Sequence, residues 1–163
     1  MIYADKCAFY DCAFYGVQDT LYDTYGRHYY HNCYIQGGID FVFGNGQSIF
    51  EASTLNFSMG VYGPKLGTKE TAILGRSLDA YSRVIVANSY LTNVVSPEGW
   101  YARTYVGHEE TITFVEAGNS GPGANQSQRV KWMKHLSGAE LDRFLNISFI
   151  DKEGWINKLP VNN

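Results

Sequence analysis

A chain of 163 residues falls within the usual size of one domain, about 100–200 residues, and 45% hydrophobic with 18% charged residues exclude a disordered tail. Thirteen Lys+Arg against sixteen Asp+Glu leave a formal net charge of -3, which offers no field for a phosphate backbone and excludes a charge-driven nucleic-acid binder. No window reaches the roughly 18–20 consecutive apolar residues of a membrane helix, and Met1 is not followed by an export-type basic and apolar stretch.

The first predicted element is an octet, CAFYDCAF from Cys7, and its pattern recurs as HYYHNCYI from His28, SIFEASTL from Ser48 and VIVANSYL from Val84. The starts lie 21, 20 and 36 residues apart. The sixth place is always small (Cys12, Cys33, Ser53, Ser89), while the second, third and eighth are mostly apolar or aromatic. Each octet has strand composition, and the first spacings are too short for βαβ crossovers of about 30 residues. The pattern predicts an all-β fold, a parallel β-helix whose turns of about 20 residues stack equivalent positions about 4.8 Å apart. The alternative, an antiparallel sandwich, is disfavoured by the shared octet register. The longer third interval contains Gly60, Gly63, Pro64 and Gly67, so 58–69 reads as a loop thrown out of the coil.

After about residue 100 the repeat fades, so 1–100 is expected to form coils and 101–163 a turn-rich tail of a single partial domain. Ser137-Gly-Ala-Glu140 is a capping-box pattern starting a helix, with Leu141, Phe144 and Leu145 as its apolar face and a closing cap as its role. Met1 stands almost against the first octet, and the chain is expected to begin partway along a solenoid.

Eight or nine residues before three of the octets, the segments VQDTLY, GIDFVF and ILGRSL place Asp19, Asp40 and Arg76 at matching positions. In a coil these three would form one column. Carboxylates one strand spacing apart resist ionising together, which divides such a pair into a nucleophile and a proton donor. Gln18, beside Asp19, is a neutral donor suited to an oxyanion. A surface ladder of Asp and Arg serving stability is the plain alternative.

These motifs also carry a family resemblance. DKCAFYDCAFYGVQDTLYDTYGRHYYHNCYIQGGIDFVFGN, LGRSLDAYSRV, SPEGW, GPGANQSQRVKWMKHLS and FIDKEGWI resemble the plant pectin methylesterases (pectinesterases), over most of this chain and about the C-terminal half of a family catalytic domain. The resemblance implies a right-handed parallel β-helix and hydrolysis of methyl esters in cell-wall homogalacturonan, giving pectate and methanol without a metal or organic cofactor. It implies Asp40 as nucleophile, Asp19 as general acid then base, Gln18 as oxyanion donor, and Arg76 holding Asp40 ionised. It further implies a secreted, monomeric cell-wall protein with methyl-esterified homogalacturonan as substrate and a proteinaceous pectinesterase inhibitor as a partner.

Departures from the family pattern bear on activity. A QAV-type glutamine on the strand before DKCAFY has no counterpart in Met1–Ala4, and one oxyanion donor is typically worth about 10²–10³ in rate. Leu78 stands where LGRPW has a sugar-lining tryptophan, and Arg103 fills the second place of GWxxW. Between Leu55 and Ile73 a whole further coil of the family is reduced to a loop. A truncated homologue that at most binds pectin is therefore the second reading. A third, glycoside hydrolysis, is disfavoured because adjacent-coil acids lie closer than the roughly 6.5–9.5 Å of inverting enzymes.

Tyr22 and Trp100 are candidates to bind sugar faces, with packing as the plain alternative. His28, His31, His108 and His135 form no metal-ligand set, and their expected roles are structural. Cys7, Cys12 and Cys33 define no disulfide framework, and no GxSxG elbow is present.

Overall fold

The computed structural model describes residues 1–62 and 70–160. Its chain groups into two compact units, Met1–Lys65 with Arg143–Asn163, and Leu66–Asp142, rather than the one that length suggests. One crossing of the chain between them falls in the 58–69 segment read as a loop, the other between Asp142 and Arg143. Within the 58–69 segment Gly60–Tyr62 form a 3-10 turn, and 63–69 lie outside the described residues.

The first unit is a three-turn parallel coil. Its strands are β1 (Ile2–Tyr3), β2 (Cys7–Tyr10), β3 (Ala13–Tyr15), β4 (Leu21–Tyr25), β5 (Arg27–His31), β6 (Tyr34–Gly37), β7 (Val42–Phe43), β8 (Gln47–Glu51) and β9 (Thr54–Phe57). They stack as three parallel sheets, β1-β4-β7, β2-β5-β8 and β3-β6-β9. Cys7 pairs with His28 and His28 with Ser48, so the octets align at their first residues. The expected fold class, a parallel β-solenoid, is the one observed.

Each octet is a corner: a strand, one left-handed residue, then a second strand. The left-handed residues are Asp11, Asn32, Ala52 and Asn88, with φ of 52°, 53°, 50° and 51°. Asp and Asn tolerate this region better than other residues with a side chain. The next residue is small for a reason beyond the narrow interior. Cys12 Sγ donates to the Tyr10 carbonyl (3.2 Å), Ser53 Oγ to Glu51 (3.0 Å) and Ser89 Oγ to Ala87 (2.8 Å), so each small side chain bonds back across the corner to the carbonyl two residues before it; the Glu51 carbonyl also accepts the Asn32 amide at 3.0 Å. Among these four, Ala52 breaks the Asp/Asn column. Ala52→Asn is expected to raise stability by about 0.5–1 kcal/mol, seen as a higher thermal midpoint, because alanine at positive φ costs about 1–2 kcal/mol.

Third-place residues of the octets point inward and form a ladder. Phe9 stacks on Tyr30 with centroids 5.1 Å apart, and Tyr30 on Phe50 at 4.4 Å. Leu21, Cys33 and Ile35 complete this core. Second-place residues Ala8, Tyr29 and Ile49 point outward, where Ile150 and Trp155 of the C-terminal tail cover them. The tail thus covers the outer face of β2-β5-β8.

In the second unit, β10 (Gly75–Arg76) pairs with β12 (Trp100–Tyr101), and β11 (Arg83–Ala87) with β13 (Thr113–Ala117), both parallel. Coil pairing therefore continues past residue 100, which corrects the expected boundary. Val84 pairs with Phe114, so FVEAGNSG from Phe114 is a fifth octet. Its left-handed place is Gly118 (φ 62°), and Asn119 substitutes for the small residue by bonding the Ser89 amide and the Val86 carbonyl. Helix α1 (Gly138–Leu145) starts with the expected capping box, since Glu140 Oε2 accepts from the Ser137 amide at 2.9 Å. Phe144 meets Phe149 edge-on at 5.5 Å, but Leu145, expected on the packed face, is 41% exposed.

Candidate active site

The carboxylates arise from a second kind of corner, between β3 and β4 and again between β6 and β7. Gln18 bridges Ile39 and Leu21 pairs with Val42, both at an offset of 21 residues. Asp19 and Asp40 share that offset, so the coil places them on neighbouring turns, one strand spacing or about 4.8 Å apart in backbone. The Asp19 amide donates to the Ile39 carbonyl at 3.0 Å and the Leu21 amide to Phe41 at 3.0 Å, holding the register on both sides. Both aspartates are left-handed, with φ of 53° and 44°. Asp19 and Gln18 are exposed and Asp40 is half-buried, so the pair faces outward.

Local sequence explains the bend. A Cβ on Gly38 would lie 2.0 Å from Met59 Sδ, and one on Gly44 would lie 1.9 Å from the Asp23 carbonyl oxygen. Glycine is required at Gly44, where φ is 130° and the Asp23 backbone approaches, whereas at Gly38 a side chain would have to displace the Met59 thioether.

Tyr22 is on β4, three residues after Asp19, and Phe43 on β7, three after Asp40. Their rings stack at 4.4 Å and 6°, with Tyr22 40% exposed. An outward aromatic pair therefore stands beside the outward carboxylate pair. Phe43 was missed in the sequence, although adding the 21-residue offset to Tyr22 lands on it.

Arg76 and Leu78 belong to the second unit. Arg76 is half-buried on β10, its backbone paired with Tyr101, and Leu78 is exposed. Trp100 does not match its expected role. The indole is 2% exposed, packed with Ala102, Ile112, Phe114 and Met133, and Nε1 donates to Glu116 Oε1 at 3.1 Å, so no ring face is open to a sugar. Glu116 also receives Arg129, whose Nε lies 2.6 Å from Oε1 and Nη2 3.1 Å from Oε2. The remaining guanidinium protons go to the carbonyls of Ser96, Pro97 and Gly123. A hollow of about 240 Å³ opens beside this arginine, but its donors are already engaged.

His28 is fully buried, with Nδ1 on the Asp23 carboxyl and Nε2 donating to the Ala4 carbonyl at 2.7 Å, while Ser48 Oγ donates to Asp23. The hydroxyl thus meets the acid and not the imidazole, so Ser48 is not set up as a nucleophile with His28 as its base. Among the described residues, no three His, Cys, Asp or Glu side chains form a metal-binding group.

The Pectinesterase family model matches residues 1–65 and 61–153. Probable pectinesterase 29 of Arabidopsis thaliana is 42% identical over 186 aligned positions, covering 99% of this chain and 56% of its own length. Pectinesterase 1 of Olea europaea is 35% identical, covering 95% and 48%. The chain thus spans about half the length of these relatives. An alignment of 186 positions exceeds the 163 residues available, and the family match breaks near residue 61, where the missing coil was expected. Among solved structures, the pectin methylesterase from carrot superposes with a TM-score of 0.79 at 27% identity, covering 97% of this chain and 61% of that one. The Aspergillus niger pectin methylesterase gives 0.75 at 27% identity, covering 95% and 57%.

Proposed function

Because the chain belongs to the pectinesterase family, we propose that it hydrolyses the methyl esters of homogalacturonan to pectate and methanol, at the plant cell wall. The observation that carries this reading is the register that sets Asp19 beside Asp40 on an outward face. The Asp40 carboxylate attacks the ester carbonyl, and the Gln18 amide donates to the oxyanion that forms. Asp19 gives its proton to the departing methoxide, which leaves as methanol, and an acyl-Asp40 anhydride remains. Asp19 then takes a proton from water as that water attacks the anhydride, which frees the uronate and restores both carboxyls. The Tyr22–Phe43 pair offers ring faces to the sugar next to the scissile ester. For Arg76, support rests on the LGRSL motif.

Binding of pectin without hydrolysis is the second reading, favoured by the exposed Leu78 where the family has an aromatic ring. One assay separates the readings. Incubation with highly methyl-esterified homogalacturonan is expected to release methanol without new reducing ends. Retention on pectin without methanol would leave only binding, and new reducing ends would show glycoside cleavage.

A further inference from the structure

The outer face of β1-β4-β7 carries a second aromatic group beyond the Tyr22–Phe43 pair. Tyr3 and Tyr25 lie with ring centroids 5.8 Å apart and are 73% and 63% exposed. Regular alternation would not put Tyr25 there. Leu21 and Asp23 are buried, so Tyr22 and Thr24 should face out and Tyr25 in. The pairing slips by one residue between Ile2↔Asp23 and Tyr3↔Tyr25, and this irregularity turns the Tyr25 ring outward. Bulges of this kind re-aim side chains beside functional sites.

Tyr25 also lines a hollow of about 360 Å³, with Asp5, Gly26, Arg27, Asn45 and Gln47. Its charges are internally matched. Arg27 Nη2 meets Asp5 at 2.5 Å and Nη1 meets Glu153 at 2.8 Å, while Lys6 Nζ meets Glu153 at 3.0 Å. The hydrogen-bonded guanidinium holds the Asp5 carboxyl well below the usual carboxylate range, so the pair stays ionised. Two acids and two bases leave no surplus cation for a free uronate. The Asn45 backbone N–H donates to the Thr24 carbonyl, whereas its side-chain carboxamide has no hydrogen-bond partner among the described residues and is available to a sugar hydroxyl.

We propose that Tyr25, with Tyr3 and Asn45, forms a distal subsite for neutral, methyl-esterified uronate units of the polysaccharide chain that passes over Tyr22. It rests on the esterase reading for the identity of the chain. It adds a place for binding about 10 Å from Tyr22, three residues along β4 at about 3.3 Å each. Continuity with the Tyr22–Phe43 face and the balanced charge together select this occupant. A ring against a pyranose face needs no net charge and excludes water from one side of the sugar.

The test compares wild type, Tyr25→Ala, Tyr25→Phe and Asp40→Asn by retardation in gels containing either highly methyl-esterified or fully de-esterified homogalacturonan. Tyr25→Ala is expected to weaken retention by the esterified polymer about tenfold, Tyr25→Phe to retain it, and the de-esterified polymer to discriminate little between them. The same substitution should raise KM for long polymer about tenfold more than for short oligomers. Asp40→Asn should lose methanol release and keep retention. Wild-type retention without methanol release would sink the esterase reading while leaving the subsite measurable. Methanol release with unaltered retention in Tyr25→Ala would overturn the subsite alone. Tighter retention by the de-esterified polymer, or a dimer lost in Tyr25→Ala with polymer binding intact, would also overturn it.

Discussion

Asp40→Asn is expected to lower kcat for methanol release by at least about 10⁴-fold, since removal of a nucleophile commonly costs that much or more. Asparagine keeps the shape of the side chain and tolerates the left-handed backbone that Asp40 adopts at φ 44°. The variant should therefore fold, with a thermal midpoint close to wild type, and the loss can be read as chemistry. Asp19→Asn tests the partner. Asp19 is exposed, so its replacement leaves packing intact, and slow expulsion of methanol is the expected consequence. Wild-type rates in either variant would leave the carboxylate pair as a structural ladder.

Arg129→Ala is expected to destabilise the protein by about 3–5 kcal/mol, the usual cost of breaking a buried ion pair. Glu116 is 5% exposed and Arg129 9%, and the guanidinium ties the carboxylate to three carbonyls in two separate segments, Ser96–Pro97 and Gly123. Alanine would leave the buried Glu116 carboxyl with the Trp100 indole as the remaining donor among its present partners, and would take their side-chain donor from the Pro97 and Gly123 carbonyls. Thermal denaturation should show the loss. Combining Arg129→Met with Glu116→Gln removes the lone charge and keeps an acceptor for Trp100, so the double variant should recover part of the stability. If Arg129→Ala melts with wild type, the buried pair contributes nothing and the argument from burial fails.

The coil was legible because its repeat lies in side chains that stack on their own equivalents. Cys7, His28 and Ser48 begin octets in the sequence and pair directly in the sheet. The same regularity made Asp19 and Asp40 legible, since a 21-residue offset fixes both their corner and their neighbours. The fifth octet was hidden because Glu116 and Asn119 replace the expected apolar and small residues with hydrogen-bonding groups. Trp100 was misread for a related reason: sequence gives the ring but not the Glu116 carboxylate that satisfies its N–H inside the core. The exposure of Tyr25 depends on a slip in pairing, and alternation counted along one strand predicts the opposite face. Arg76 aligns with the two aspartates by motif spacing, and the structure places it on β10 of the second unit.

The most direct measurement on the paired carboxylates is a double-mutant cycle of kcat for methanol release, using Asp19→Asn, Asp40→Asn and both together. Residues that act as one device lose most of their effect with the first substitution, so the double variant should be about as slow as Asp40→Asn alone. A double variant slowed by the product of the two single losses, or a wild-type chain that releases no methanol, would contradict a shared role for Asp19 and Asp40.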